Sequence, residues 1–438
     1  MENHQRKTEY VEFWSLYERL NTLTEWGLLQ SEYGCGKEVA AIREQMDRAL
    51  TEAEKAMQGL TPDPVLKAQE PDEYEAIRAL CPGGNTPARK IPDLEERMSG
   101  AVLGRFAGCT LGVPVEGWDI DRMKDLAAYT GMPFPPKDYW TQAETPWGVQ
   151  YGRDRRVNYT RDGINGVPVD DDITYTILGL LILEKYGFDF TTADVGAYWK
   201  EYLPCACTAE KVALENLRAG IAAEHAAEKN NPYAQWIGAD IRADGFAYAA
   251  AGDPALAASL GYRDAYLTHR RNGIYGEMFF AAAEAAAFVV NDPVEAIRMG
   301  LREIPRECAL ALDVAWALEK GPSIRSYEEA RQAVDERFGA MSKVHTNNNA
   351  CLTIFGLFLG GGDFTETISN VVAMGMDNDC TAATAGSIVG AIVGEKGIPA
   401  HWTAGFHDQV RTYIDGVPSL SIRDVTERFV RLARSRLD

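Results

Sequence analysis

The sequence has too few basic residues to balance its acidic ones. It contains 44 lysines and arginines against 64 aspartates and glutamates, which gives a net charge of −20. A chain of this charge repels nucleic acids and anionic membrane surfaces unless a local basic patch attracts them. The densest basic stretch is short and consists of Arg153, Arg155, Arg156 and Arg161. Nucleic acid is therefore not expected as a main partner, although one phosphate-bearing ligand is not excluded.

Long apolar runs and closely spaced cysteines are also scarce. The longest apolar run, Cys351 to Gly362, is about a dozen residues, which is shorter than the roughly 20 that span a bilayer and predicts a buried core helix. The first twenty residues carry charges and no apolar signal-peptide segment. Among eight cysteines only Cys205 and Cys207 lie close together, and no CxxC pair indicates zinc. We therefore expect a cytoplasmic protein with free thiols and no membrane partner.

What the sequence does contain is a series of alanine-rich segments with the 3.6-residue period of a helix. Strand signals are scarce, so the pattern predicts an all-α bundle. The predicted helices lie at 173–186, 209–229, 276–290, 293–301, 326–338, 350–359, 364–374 and 381–393. The first 60 residues are also predicted to be helical, and a proline-containing stretch follows them. We predict an N-terminal helical extension and linker over residues 1–92 and a main domain over residues 93–438.

Two rows of glycines at four-residue spacing stand within predicted helices. One row is Gly100, Gly104, Gly108 and Gly112, and the other is Gly386, Gly390 and Gly394. Glycine inside a helix costs about 0.5–1 kcal/mol relative to alanine, and residues four apart share one face. Such a face lets another backbone or a ligand approach closely. Two interpretations are open: tight helix crossing alone, or two central helices whose ends meet at one site.

Two clusters of acidic residues each precede an apolar segment. Asp170-Asp171-Asp172 comes before the run that begins at Ile173, and Asp377-Asn378-Asp379 comes before the predicted helix at 381–393. Exposed acids that cap helix N-termini would explain either cluster alone. Buried carboxylates need partners, however, and hard divalent cations bind oxygen ligands of this kind. If the two clusters meet, they supply enough carboxylates for one or two ions.

Glu116 is a third acidic candidate. It follows the first glycine row and Pro114, which ends regular structure. A carboxylate there could act as a general base, as an indirect metal ligand or as a salt-bridge partner. On spacing alone the salt bridge is favoured.

The ordered set of motifs resembles the ADP-ribosylglycohydrolase family. Gly100 to Glu116 is similar to the family's opening motif, G-x-x-x-G-D-x-x-G-x-x-x-E. Asp170-Asp171-Asp172 is similar to its Thr-Asp-Asp-Thr motif, and Met376 to Cys380 is similar to the start of its G-x-D-x-D-T-x-A motif. Two further segments resemble bacterial members, Thr268 to Gly276 and Asn347 to Ala350. The resemblance covers about residues 96–405.

The resemblance implies a compact orthogonal helical bundle and a hydrolase that cleaves an N- or O-glycosidic bond to ADP-ribose or a related nucleotide sugar. The substrate would be an ADP-ribosylated protein or small molecule, and the cofactor two Mg²⁺ (or Mn²⁺) ions. The residues that the resemblance implies around the metal ions are Asp170, Asp171, Asp172, Asp377, Asp379 and Cys380. The implied catalytic residues are Glu116, Asp171 and Asp379. The implied substrate-binding residues are His269, Gly273 and Asn349.

Three positions depart from the family's motifs. Cys109 stands for the aspartate of the opening motif, Asp170 for the first threonine, and Cys380 for the threonine after the second aspartate pair. A thiol is a poor partner for a hard cation. These departures motivate one alternative, a catalytically inactive ADP-ribose-binding or crystallin-like structural member of the fold. A second alternative is a helical scaffold with capped helices and no metal.

Overall fold

The computed structural model describes residues 10–83, 91–143 and 157–437. Arg153, Arg155 and Arg156 of the basic stretch lie outside these ranges. The chain divides into two compact units, Met1–Ala68 and Gln69–Asp438.

The first unit is a helical hairpin. Helices α1 (Trp14–Glu32) and α2 (Gly36–Gln58) are joined by a turn at Gly34, whose φ of 88° favours glycine. Helix α3 (Pro64–Gln69) follows. No described residue of this unit is buried. The helices predicted for the N-terminal extension are therefore present.

The second unit consists almost entirely of helices within its described residues. They are α4 (Tyr74–Leu80), α5 (Leu94–Gly112), α6 (Ile120–Thr130), α7 (Asp171–Tyr186), α8 (Thr192–Tyr202), α9 (Thr208–Arg218), α10 (Ala243–Ala249), α11 (Pro254–Ala265), α12 (Asn272–Ala287), α13 (Pro293–Gly300), α14 (Ala309–Lys320), α15 (Tyr327–Phe338), α16 (Thr346–Gly360), α17 (Phe364–Ala373), α18 (Asn378–Val393) and α19 (Ile422–Leu437). One antiparallel hairpin, β1 (Gln409–Ile414) and β2 (Val417–Ser421), precedes α19. The predicted all-α class is confirmed.

The core is built from helices that are apolar on every side. All residues of α12 are buried, and α5, α16 and α18 are buried over most of their length. A helix that is hydrophobic all round belongs in the interior of a large domain. By length and composition Leu94–Val115 could cross a membrane, but 94% of its most apolar window is buried inside the protein, which is the setting of a core helix.

Helices α5 and α18 cross in direct main-chain contact, antiparallel to one another. A methyl group added to Gly104 would lie 2.2 Å from the carbonyl oxygen of Gly386, and one on Gly108 would lie 2.0 Å from that of Ala382. One on Gly112 would lie 2.3 Å from the Cα of Asp379. The glycine rows therefore bring the last turn of α5 to the first turn of α18. This confirms the second interpretation of the rows, two central helices whose ends meet.

Two local features differ from the sequence prediction. The helix predicted over 209–229 ends at Arg218, because Gly220 adopts a φ of 87° that breaks the helical backbone. The segment from Gln69 to Leu80, assigned to the linker by sequence, packs with the second unit. Glu70 is buried there and pairs with Arg271, and Ile77 is fully buried.

Candidate metal centre

Two helix N-termini supply the aspartates of one site. Asp170 is the N-cap of α7, and its carboxylate accepts a hydrogen bond of 3.1 Å from the backbone N–H of Asp172. Asp377 holds the N-cap position of α18, but its side chain makes no capping hydrogen bond. Capping therefore accounts for Asp170 in part, and it does not account for Asp377.

The two acidic clusters meet, although they lie about two hundred residues apart in the chain. The thiol of Cys380 donates to Oδ2 of Asp172 over 3.2 Å, a contact between residues 208 positions apart. On the other side the thiol of Cys109 donates to Oδ1 of Asp170 over 3.3 Å. The convergence that a shared metal site requires is present.

Glu116 joins the second cluster. Carboxylate oxygens of Glu116, Asp377 and Asp379 lie within 4.8 Å of one another. The loops that hold them are linked, because the N–H of Gly117 donates to the carbonyl oxygen of Met376 over 2.9 Å. Met376 has a φ of 63°, a left-handed conformation that turns the chain just before Asp377. Glu116 is exposed, whereas both aspartates are buried.

Burial and mutual repulsion disfavour the charged forms of these aspartates. Burial, with the charge of Glu116 adding to it, raises the pKa of Asp377 to about 6. Burial, with the charge of Asp171 adding to it, raises the pKa of Asp170 to about 8. The same two causes, burial first and the charge of Glu116 second, raise the pKa of Asp379 well above its ordinary value. A divalent cation would remove this penalty by compensating the negative charge.

One oxygen of the site has no hydrogen-bond partner. Asp379 is only 4% exposed, yet its Oδ1 has no donor among the described residues. A buried carboxylate oxygen without a partner is costly unless a cation or water binds it. Together with the oxygen-rich surroundings, this atom fits a divalent cation.

Arg105 is a functional candidate that the sequence reasoning missed. Its guanidinium is fully buried and donates to the carbonyl oxygen of Asp172 over 3.0 Å and to Oδ1 of the same residue over 3.2 Å. It also pairs with Asp244 at 2.5 Å. Asp172 thus has one carboxylate oxygen held by Arg105 while the other faces Cys380. The available signal was an arginine between Gly104 and Gly108, within the apolar, glycine-striped part of α5.

The charge of Asp171 also acts on residues from the loop before α9 and from β1. Partial burial, with the charge of Asp171 adding to it, raises the pKa of Cys207 to about 11. Burial, and then Tyr175 and Asp171, raise the pKa of Tyr413 far above its ordinary value. Neither residue was predicted at the site, because nothing in the local sequence links them to the aspartates.

The three residues predicted to bind substrate lie in the interior. His269 is fully buried, its Nδ1 lies 2.7 Å from the hydroxyl of Thr268, and burial lowers its pKa well below the ordinary value. A methyl group on Gly273 would lie 2.4 Å from the carbonyl oxygen of Ala234. Asn349 is buried and accepts a hydrogen bond of 3.4 Å from the N–H of Asp377. Asn349 therefore contacts the second cluster, and the substrate role of all three residues stays a prediction.

A family model described as ADP-ribosylglycohydrolase matches residues 90–436, which include all the acidic residues of the site. The chain belongs to the ADP-ribosylglycohydrolase family. A solved structure titled "ADP-ribosylglycohydrolase-related protein complex" is 21% identical and has a TM-score of 0.47, with 78% of this chain and 99% of that chain covered. No curated protein matches the chain.

This ADP-ribosylglycohydrolase family member has a site whose acidic residues could hold a metal ion. One group of neighbouring donor side chains is Cys109, Asp170 and Asp172, and another is Asp172, Asp379 and Cys380. A third group is Glu116, Asp377 and Asp379. Cys380 was predicted to lie beside the metal, and the fold does bring it next to Asp172 and Asp379.

Proposed function

We propose that this protein is a metal-dependent hydrolase that cleaves an N- or O-glycosidic bond to ADP-ribose or a related nucleotide sugar. The observation that carries the proposal is the meeting of Asp170 and Asp172 with Asp377 and Asp379 beside Glu116, in a chain of this family. The substrate would be an ADP-ribosylated protein or small molecule, and the site of action the cytoplasm.

The residues that would hold the metal are the five aspartates of the two clusters, with Cys380 beside them. Two Mg²⁺ (or Mn²⁺) ions are the proposed occupants. A bound divalent cation would supply positive charge that orients hydroxyl groups of the sugar and a water molecule.

Glu116 is the proposed general base. Its carboxylate is exposed, so that a substrate and a water can reach it, and it stands within 4.8 Å of Asp377 and Asp379 oxygens. It would accept a proton from the water as the water oxygen bonds to the anomeric carbon. The bond to the acceptor would break, and the acceptor would leave with the bonding electron pair and take up a proton from solvent. Glycosidic cleavage has a transition state with positive charge on the sugar ring. The negative charge of Asp171 and Asp379 would stabilise that charge.

The test is release of ADP-ribose from ADP-ribosylated proteins and small molecules by the purified protein with Mg²⁺ or Mn²⁺. Asp377→Asn should reduce turnover by at least about a hundredfold, because it removes a charge from the metal surroundings. The matched control is Asp121→Asn, an exposed acid in the first turn of α6, which should leave turnover unchanged. A fully active Asp377→Asn protein would contradict the mechanism.

A second candidate function is binding of ADP-ribose without turnover. The thiols of Cys109 and Cys380, where the family has an aspartate and a threonine, favour it because they weaken a hard-cation site. Calorimetry with ADP-ribose separates the two functions. Binding of ADP-ribose without release from any ADP-ribosylated substrate would support the second.

A further inference from the structure

Two buried thiols face the acidic cluster and not the helix backbone. The thiols of Cys109 and Cys380 donate to carboxylate oxygens of Asp170 and Asp172 over 3.3 and 3.2 Å. Both cysteines are buried. Each thiol therefore occupies a position from which its sulfur can bind the same cation as the carboxylate beside it.

Other buried cysteines of this chain behave differently. The thiol of Cys81 donates to the carbonyl oxygen of Ile77 one helical turn earlier, and that of Cys351 donates to the carbonyl oxygen of Asp313. These contacts are those of small apolar residues packed in a core. Cys109 and Cys380 depart from that pattern because carboxylates, and not main-chain carbonyl groups, are their partners.

The thiols belong to two donor sets that share Asp172. The groups of Cys109, Asp170 and Asp172 lie within 4.8 Å of one another, and so do those of Asp172, Asp379 and Cys380. Each set therefore offers one sulfur and two carboxylate oxygens. Asp379 is a residue of the second set, and its buried Oδ1, which has no donor among the described residues, is an independent sign that a ligand belongs at this site.

Arg105 fixes the orientation of the shared carboxylate. It holds Oδ1 of Asp172, and this leaves Oδ2 directed at the sulfur of Cys380. The donor set is thus prearranged, which lowers the cost of assembling it around an ion.

We propose that Cys109 and Cys380 make the Asp172 side of this centre a site for a thiophilic divalent cation of the Zn²⁺ and Co²⁺ class, in preference to Mg²⁺. Sulfur ligands select such ions, whereas Mg²⁺ prefers oxygen ligands and retained waters. Each coordinating thiol binds as the thiolate, and its proton goes to solvent. The inference rests on the proposed function only in placing the ion at the same acidic site, where it replaces one of the two proposed Mg²⁺ (or Mn²⁺) ions. The all-oxygen group of Glu116, Asp377 and Asp379 contains no sulfur and is outside this inference.

The experiment is a Co²⁺ titration of the metal-stripped, full-length protein followed by absorption spectroscopy. Sulfur bound to Co²⁺ gives a near-ultraviolet charge-transfer band that an all-oxygen site lacks. The band should appear in the parent protein and in the control Cys351→Ser, and it should be lost in Cys380→Ser and weakened in Cys109→Ser. Competition with Zn²⁺ should show that Cys380→Ser binds Zn²⁺ at least about tenfold more weakly than the parent protein does. Its affinity for Mg²⁺ should fall by less.

Two further variants keep the test decisive. Cys205→Ser/Cys207→Ser removes the exposed pair before α9 and should retain the band, because that pair is not in the donor sets. Cys380→Thr restores the family's residue and should reverse the preference toward Mg²⁺ even if Cys380→Ser folds poorly. A Co²⁺ complex with no sulfur band, or a band lost only with the exposed pair, would overturn the inference.

Failure of this inference can be told apart from failure of the proposed function. A sulfur band together with no hydrolysis under any metal would overturn the function and leave the thiophilic site in place. Release of ADP-ribose with Mg²⁺ and no sulfur band would do the reverse.

Discussion

At the scale of single residues, the buried charges depend on one another. Arg105 pairs with Asp172 and Asp244 in the fully buried interior, and burial with the charge of Asp244 raises the pKa of Glu284 well above its ordinary value. The arginine therefore compensates carboxylates of the core and of the metal site at the same time. Its loss would leave both aspartates without their cation.

We predict that Arg105→Met lowers the free energy of unfolding by about 3–5 kcal/mol, the usual cost of removing one partner from a buried ion pair. The control is Arg434→Met, which breaks an exposed ion pair with Glu95 and should cost less than about 1 kcal/mol. Urea unfolding followed by circular dichroism measures both. Equal, small losses in the two variants would contradict the role assigned to Arg105.

His345 gives a pH-dependent contribution to stability. It caps α16, its Nδ1 accepts a hydrogen bond of 3.2 Å from the N–H of Asn347, and burial lowers its pKa to about 4 from an ordinary value near 6.5. The unfolded chain thus binds this proton more readily than the folded one. The contribution of neutral His345 to the free energy of unfolding is fully present above pH 6.5 and is lost as the pH falls toward 4.

We therefore predict that His345→Asn, which keeps a capping oxygen, destabilises the protein least at low pH. The difference in free energy of unfolding between the parent and the variant should shrink by about 1–2 kcal/mol from pH 7 to pH 4.5. Titration of the aspartates is common to both proteins and cancels in the difference. A difference that does not change with pH would refute the assignment.

The acidic residues of the site could be predicted from the sequence, but the residues around them could not. Asp170-Asp171-Asp172 and Asp377-Asn378-Asp379 were recognisable because carboxylates directly before apolar segments need partners. The role of Arg105 and the effect of Asp171 on Cys207 and Tyr413 depend on tertiary packing, which leaves no local pattern. Metal identity and substrate contacts depend on distances of tenths of an ångström, and these stay predictions.

At the scale of helices, the crossing of α5 and α18 determines where the acidic residues stand. Gly108 and Ala382 are in main-chain contact, and Gly112 lies against Asp379. There is no room for a side chain in this contact. A helix shift of one ångström would therefore move the second cluster relative to the first.

We predict that Gly108→Ala destabilises the protein by about 2–4 kcal/mol and weakens divalent-cation binding, because the added methyl group would meet main-chain atoms of Ala382 and Ala383. The control is Gly179→Ala in the buried helix α7, where the nearest atom would be the Cα of Gly245 at an ordinary 3.4 Å. That change should stay within about 1 kcal/mol. Thermal unfolding with and without Mn²⁺ checks both, and equal behaviour of the two variants would contradict the prediction.

The helices themselves were predictable where the apolar period was long and uninterrupted. The predicted segment 381–393 and the buried run at Cys351 correspond to α18 and α16. The β1–β2 hairpin and α19 were not predicted. The hairpin is short, and although burial alternates along β1, no residue of β2 is buried, so the sequence has no matching pair of apolar strand patterns.

At the scale of the whole molecule, the segment after Ala68 belongs structurally to the second unit. Glu70 pairs with Arg271 and accepts from the N–H of Ala309 over 2.9 Å, and Arg78 pairs with Glu303 at 2.6 Å. Ile77 contributes a fully buried side chain. The family match begins only at residue 90, so this segment is an addition before it.

We predict that a chain beginning at Gln69 folds, whereas one beginning at residue 83 unfolds at a melting temperature lower by at least about 5 °C. The shorter chain loses the buried Ile77 and leaves Arg271 and Glu303 without their partners, a cost of several kcal/mol. Differential scanning calorimetry of the two chains gives the comparison. Identical melting temperatures would indicate that residues 69–82 contribute nothing to the fold.

The helix packing that positions the metal centre does not depend on which side chains supply the donor atoms. Main-chain contacts along the two glycine rows hold α5 against α18, so an exchange of cysteine for threonine or aspartate at the helix ends leaves the helix spacing intact. Single substitutions can therefore alter which ion a descendant of this protein prefers without a rebuilt scaffold. Relatives with different donors at these positions should superpose closely in both helices, and they would offer a natural series for relating donor chemistry to ion choice.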